Sequence, residues 1–478
     1  MNAHLEFESP LKSRYASSEI LYLFSPQYRH STWRQLWVAL AQAQKELGLK
    51  ITNKQIEELQ THINEIDFEK VHDYEKTFRH DVMAHIHAYG DLCPLARPII
   101  HLGATSCYVT DNGDLIQQRK ALDVLESKLA LLIKTLSNFA QKQSKQACLS
   151  FTHYQAAQLS TVGKRTCLWI QEFLLDLQDL QHFSKNMRFL GVKGTTGTQA
   201  SFLALFHGDH EKVKLLDKRV TDLMGFERLF SISGQTYTRK QDCQLLNVLA
   251  GIATSAHKFA TDLRLLANLK EIEEPFESNQ IGSSAMPYKR NPMRSERICA
   301  LSRFVISIAQ NPAYTAATQW FERTLDDSAN RRIVISEAFL AVDGILNLLM
   351  NVSNGLVVYP KVMHKHVMNE LPFMATENIL MACVSKGGDR QKLHERLRIH
   401  SQEAGRRIKE LGAENDLLNR IASDEMFNLN SSELENILNV EQFIGRSPEQ
   451  VEEFLNDEVQ PYLENCTIKE GVIPDITV

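Results

Sequence analysis

Glycine and proline are scarce, 21 and 13 of 478 residues, together about 7% against roughly 12% in average usage. That shortage disfavours a turn-rich all-β chain and favours long helices. An excess of positive charge is also missing: 53 Lys and Arg stand against 58 Asp and Glu, a formal net charge of −5. A general nucleic-acid binder is therefore not expected, although local basic pockets for small anions remain open. No apolar run approaches the length of a membrane span, and residues 1–10 hold two glutamates and no signal-peptide core. A cytoplasmic protein with no membrane partner is the expectation. The eight cysteines include no Cys-x-x-Cys pair, so neither a disulfide framework nor a cysteine zinc site is suggested.

What the chain has in quantity is helical periodicity. Leu115, Leu122, Leu125, Leu129, Leu132 and Leu136 recur at steps of three, four or seven, an apolar stripe through roughly 30 residues and a rod of about 45 Å. Leu245, Leu249, Ile252, Ala256, Phe259 and Leu263 alternate steps of four and three, the seam of helices packed nearly parallel. Trp169, Phe173, Leu177 and Leu180 mark a third rod, and Ile298, Leu301, Val305 and Ile308 a fourth. A fifth runs from about residue 328 to 354, with Gly355 as its expected C-cap. Five such helices predict an all-α fold with a central bundle. The expected division is an N-terminal helical domain over 1–105, the bundle over 106–358 and a C-terminal helical domain over 359–478. Shorter helices are expected over 31–47 and 53–64.

Chemistry concentrates in residues 282–292, Gly-Ser-Ser-Ala-Met-Pro-Tyr-Lys-Arg-Asn-Pro. Gly282 gives a mobile entry, and Ser283 and Ser284 supply hydroxyls. Asn291 then reads as a helix N-cap with Pro292 at the first helical position. Lys289, Arg290, Arg294 and Arg297 crowd a helix start that already carries partial positive charge. An anion would resolve that conflict. Taken alone, the stretch is a surface loop before a basic helix.

Elsewhere, Arg79-His80-Asp81 and the nearby His85 and His87 first suggest a metal site, but one helix cannot converge all three imidazoles on an ion. His85 and His87 read as ordinary helix-surface residues. Thr105-Ser106 reads as capping hydroxyls, and Thr152-His153-Tyr154-Gln155 as a lone histidine before a helix. Residues 191–198 are glycine-rich but lack the Gly-Lys-Ser/Thr ending of a phosphate loop, so a loop shaped for close backbone approach is expected.

The whole signature string resembles that of the fumarase and aspartase superfamily, and its extension to Met-Arg-Ser-Glu is similar to the adenylosuccinate lyase branch. Thr105-Ser106, Thr152-His153, Gln235 in Ser-Gly-Gln-Thr-Tyr, and residues 321–332 resemble further segments of that branch, over about Arg14 to Asp389. The resemblance implies a three-domain all-α fold and a homotetramer with active sites shared between subunits. It implies removal of fumarate from adenylosuccinate, giving AMP, and from SAICAR, giving AICAR, without cofactor or metal. It makes Ser283 the general base, His153 the general acid and His80 an active-site residue beside Asp81. Lys289 beside the helix start supplies positive potential for a serine alkoxide. Thr105, Ser106, Thr152 and Asn291 are implied carboxylate or substrate contacts, with Gln235 and Arg297. Arg14, Tyr15, Arg323, Ser328 and Arg332 are the implied phosphate contacts, whereas Arg331 reads as solvated charge. Ala156 departs from the branch, which commonly has proline there. Argininosuccinate lyase or a fumarase, a metal-dependent His-Asp phosphohydrolase and a non-catalytic helical oligomer are the rivals; Ser283, Lys289 and His153 together argue against the last.

Overall fold

A computed structural model describes residues 5–277 and 279–468. Residues 1–4 of the N-terminal stretch and 469–478 of the expected C-terminal domain lie outside the described residues. Five long helices dominate: a first rod, Ser106–Lys142, a second, Val162–Asn186, a third, Lys240–Asn268, a fourth, Met293–Ile308, and a fifth, Asp327–Asn354. The stripes land on them. Leu122, Leu129, Phe173, Leu249, Phe259, Ile298 and Val342 are all fully buried in one shared core.

Polar contacts fix the directions of the rods. Arg239, at the head of the third rod, binds Asp111 and Asp327 near the starts of the first and fifth. Halfway along, Lys128 of the first rod meets Asp343 and Asn347 of the fifth. These three therefore run parallel. At the opposite end Val162 N donates to Gln146 O and Gly163 N to Gln143 O, so the second rod starts where the first stops. Glu274, just past the third rod, binds the start of the fourth. The second and fourth rods run the other way, and the bundle thus has two chemically distinct ends.

The fifth rod departs from the expectation that no stretch approaches a membrane span. It is long and apolar enough, with mean hydropathy 1.9 over its most apolar window, yet 78% of that window is buried inside the protein. Asp343 within it is fully buried against Lys128. The rod is apolar because other rods surround it. Gly355 does follow it, but at φ −126° rather than in the left-handed region. A side chain there would meet the Pro275 ring at 2.6 Å, so close packing, not a left-handed cap, requires the glycine.

Among the described residues the only strands are two short antiparallel pairs. Strands β1 (Ala147–Thr152) and β2 (Gln155–Thr161) form a hairpin between the first two rods; β3 (Ile272–Glu273) pairs with β4 (Val357–Val358) where the signature loop begins. A second apolar cluster gathers Leu371, Ile379, Leu393, Leu417 and Phe427 and takes in Leu149 and Leu159 of the hairpin. The last helices return to the bundle, where Val451 and Val459 join the main core.

Gly163 touches the end of the first rod so closely that a Cβ would lie 2.5 Å from Ala140 O and 2.6 Å from Ser144 Cα, both backbone atoms. Gly405, inside the helix Arg390–Leu411, has no neighbour within 4 Å of a Cβ. Gly163→Ala is expected to lower unfolding stability by about 1–3 kcal/mol through overpacking. Gly405→Ala should instead raise it by about 0.5–1 kcal/mol by removing helix-interior glycine. Denaturant unfolding of both variants checks the contrast.

Candidate active site

At the end where the first, third and fifth rods begin lies an open cavity of about 750 Å3. His80, Asp81, Ser106, Gln235, Arg323, Ser328 and Arg332, drawn from four separate stretches of sequence, all line it. His80 sits just before the helix Asp81–Leu92, and its Nδ1 accepts from Met83 N at 3.3 Å. That contact assigns the neutral ring's proton to Nε2, which lies 3.3 Å from Ser106 Oγ. Ser106 Oγ can accept this hydrogen bond and keep its own hydroxyl hydrogen for a ligand. Thr105 is the N-cap residue of the first rod but makes no side-chain capping bond, so the capping role expected of its hydroxyl is not realised.

Gln235 is held at both ends of its amide: Oε1 accepts from Cys107 Sγ at 3.4 Å and Nε2 donates to Thr195 O at 3.1 Å. The glycine-rich loop earns its composition here. Gly197 has φ +80°, and a Cβ would lie 1.8 Å from Ser233 O. Burial, with Asp111 adding to it, pushes the Cys107 thiol up to about 12, so it serves as a hydrogen-bond donor and not as a nucleophile.

The cavity floor is a buried ionic lattice that the sequence reading missed. Arg239 binds Asp111 at 2.8 Å and Asp327 at 2.7 Å, and Arg331 binds Asp242 at 2.7 Å and Asp114 at 3.2 Å. The Tyr237 hydroxyl donates to Asp242 at 2.7 Å and accepts from Arg331. Arg331 is thus buried rather than solvated. The signal was available: Arg331 precedes Ile335, Ala338 and Val342 by four, seven and eleven residues, the spacing of the buried face. With Arg239 and Arg331 neutralised, Arg29, Arg79, Arg323 and Arg332 are the cavity's remaining cations. Asp81 approaches Arg332 at 3.4 Å.

His85 corrects another expectation. It is buried, not on the surface, and stacks on His30 with ring centroids 3.8 Å apart. Burial lowers it to about 4, with Arg34 adding to the effect. His87 packs on the Phe78 ring. Among the described residues no cluster of three or more His, Cys, Asp or Glu is arranged to hold a metal.

The remaining expected residues lie elsewhere. His153 and Tyr154, with φ of 55° and 58°, form the two-residue turn of the β1–β2 hairpin. His153 therefore stands exposed at a hairpin tip, with Thr152 beside it, and does not precede a helix. Ser283 Oγ accepts from Met286 N at 3.1 Å, and Ser284 and Lys289 are exposed. Asn291 is not the N-cap: the fourth rod begins at Met293 after Pro292, and Asn291 Nδ2 donates to Gly282 O at 2.7 Å, closing the loop's neck. The anion demanded by that helix start is Glu274 of the chain itself, whose carboxylate accepts from Arg294 N and Ser295 N, both at 3.0 Å. Arg294 binds Glu277, whereas Arg297 keeps a buried Nη1 without a partner. Arg14 and Tyr15 belong to a short turn, Leu11–Tyr15, that rests against Gly344 and Asn347 halfway down the fifth rod.

These groups are far apart. Ser106 opens the 37-residue first rod and the His153 hairpin follows its end, a separation of about 55 Å along the axis.

Residues 27–306 match the model of the lyase family, and residues 372–454 that of the adenylosuccinate lyase C-terminus. A protein of Saccharomyces cerevisiae named adenylosuccinate lyase is 53% identical over 95% of this chain and 96% of its own. The chain belongs to the adenylosuccinate lyase family. Its counterpart in Schizosaccharomyces pombe is also 53% identical, over 97% of each chain, and that of Pyrococcus abyssi 30% over 94% and 97%. Among solved structures, a 3-carboxy-cis,cis-muconate lactonizing enzyme from Pseudomonas putida superposes with a TM-score of 0.82 at 21% identity, covering 95% of this chain and 99% of its own. A fumarate lyase from Mesorhizobium sp. BNC1 gives 0.78, also at 21% identity, over 93% and 99%. At that identity the likeness shows the shared fold alone.

Replacing Arg239 by Met leaves Asp111 and Asp327 buried without their cation. The expected loss is about 3–5 kcal/mol of unfolding stability, readable in urea denaturation.

Proposed function

We propose that the chain removes fumarate from adenylosuccinate, giving AMP, and from SAICAR, giving AICAR. The observation that carries this reading is the cavity that brings Arg323, Ser328 and Arg332 together beside His80 and Ser106 in a chain of this family. A phosphate suits the arginines, because a guanidinium donates two parallel hydrogen bonds to its oxygens.

In the proposed reaction a base takes the proton from the carbon next to the succinyl carboxylate. The electron pair becomes the new C=C bond, the C–N bond breaks, and the acid delivers a proton to the departing nitrogen. Ser283 is the base and His153 the acid. Serine is a weak base at its free pKa, and Lys289 with the fourth rod's start provides positive potential for its alkoxide. Thr105, Ser106, Thr152 and Asn291 hold the carboxylate on which charge builds up, and Arg297, Gln235 and Asp81 make further substrate contacts. Arg14 and Tyr15, which rest halfway down the fifth rod and away from their own chain's cavity, join the phosphate grip from another subunit.

Ser283 and His153 stand at one end of a rod of about 55 Å and the cavity at the other, which supports a site that one chain does not complete. The proposal therefore includes a cytoplasmic homotetramer in which different subunits supply the cavity, the signature loop and the hairpin, with no cofactor.

Purified, EDTA-treated protein is expected to release fumarate from adenylosuccinate and not from argininosuccinate, followed by fumarate absorbance. Ser283→Ala should bind adenylosuccinate without turning it over; near-normal turnover would remove Ser283 as the base. Inactive Ser283→Ala and Arg323→Ala proteins, unfolded together and refolded as mixed oligomers, should recover part of the activity. No recovery from correctly assembled mixtures would overturn the shared site.

A further inference from the structure

The signature loop is exposed over its reactive part, yet one of its side chains is tied down. Arg290, next to Lys289, lies with its guanidinium 5.1 Å from the centre of the Phe276 ring. Its Nη1 is 3.5 Å from the Tyr359 hydroxyl and 3.6 Å from Glu273 Oε2. Tyr359 in turn donates to the same Glu273 oxygen at 2.9 Å. Three groups from three segments thus close a triangle outside the substrate cavity.

The triangle stands at the junction between the bundle and the second apolar cluster. Glu273 belongs to β3, paired with Val357 of β4, and Tyr359 N donates to Glu271 O at 2.9 Å. Tyr359 also opens the helix Pro360–Met374. Two turns on, His366 Nδ1 meets the fully buried Glu271 at 2.8 Å, which fastens the helix to β3. Farther along the same helix, Val367 and Leu371 share a core with Leu149 and Leu159 of the hairpin that carries His153. One helix therefore holds both exposed elements, the hairpin by apolar packing and the signature loop through Tyr359, Glu273 and Arg290.

We infer that Arg290 is a positioning residue: in contact with Tyr359, Glu273 and the Phe276 ring, it sets Lys289 and Ser283 in a constant place on β3 and the start of the helix Pro360–Met374. This rests on the proposed elimination with Ser283 as base. The loop's neck is separately secured by Asn291 on Gly282 and by Glu274 on the fourth rod, so loss of the triangle loosens the reactive stretch without unfolding the loop's ends. A misplacement of about 1 Å in a reacting group can cost on the order of a hundredfold in rate.

The test uses the full-length oligomer and the variants Tyr359→Phe, Glu273→Gln, Arg290→Met and Arg290→Lys. Expected are a fall of about tenfold or more in kcat for the first three with KM within about threefold, an unchanged melting temperature, and partial rescue by Arg290→Lys, which keeps the charge. Tyr359→Phe should also be cut by trypsin after Lys289 faster than the wild type, a readout that needs no activity. If kcat and tryptic cleavage are unchanged in Tyr359→Phe and Glu273→Gln, the inference is wrong. It is equally wrong if kcat falls only together with melting temperature and Arg290→Lys is no better than Arg290→Met. Wild-type protein that releases no fumarate would instead defeat the proposed reaction, while the trypsin comparison would still decide whether the triangle holds the loop.

Discussion

The buried contact of Arg239 with Asp111 and Asp327 holds together the starts of three rods, and the rest of the architecture depends on it. A guanidinium removed from water is tolerated only when carboxylates and further hydrogen bonds surround it. Here the second arginine, Arg331, and the Tyr237 hydroxyl extend the pairing into a lattice. A lattice of that kind has few alternative arrangements, whereas apolar stripes can slide past one another by a turn. It defines which ends of the rods coincide, and so where the cavity forms.

The same lattice separates two kinds of arginine. Those in the floor hold the fold, while Arg323 and Arg332 on the wall remain partly exposed, with only long contacts to Asp327 and Asp81. Any anion entering the cavity would meet weakly paired guanidinium groups at the wall and strongly paired ones in the floor. The division of labour follows from burial, not from residue type.

At the far end the arrangement is reversed. Side chains suited to proton transfer, Ser283, Lys289 and His153, project from short irregular segments with little packing of their own, and their placement is delegated to the helix Pro360–Met374 and to helix caps. Glu274 is informative here. By supplying the anion that the fourth rod's start requires, it removes the need for a bound ligand to stabilise that helix. The reactive stretch of the loop stays exposed.

Periodicity alone determined the five rods, their apolar faces and the all-α class, because a stripe with a period of 3.6 has one low-energy solution in a chain of this length. Resemblance to the superfamily's motifs marked Ser283, His153, Lys289, Arg323 and Arg332. Sequence could not reveal the hairpin under His153, since a two-residue turn with both φ positive depends on strand pairing and on Leu149 and Leu159 finding a core. That Arg331 is floor and Arg332 wall was legible only in part, in the spacing of Arg331 to Ile335, Ala338 and Val342. Adjacent residues on a helix point about 100° apart, and only the packing of neighbouring rods decides which direction is interior. Most of all, tertiary structure alone placed Ser283 and His153 at the opposite end of a rod of about 55 Å from the cavity lined by Arg323 and Arg332, because rod direction is set by long-range ion pairs that no local pattern encodes.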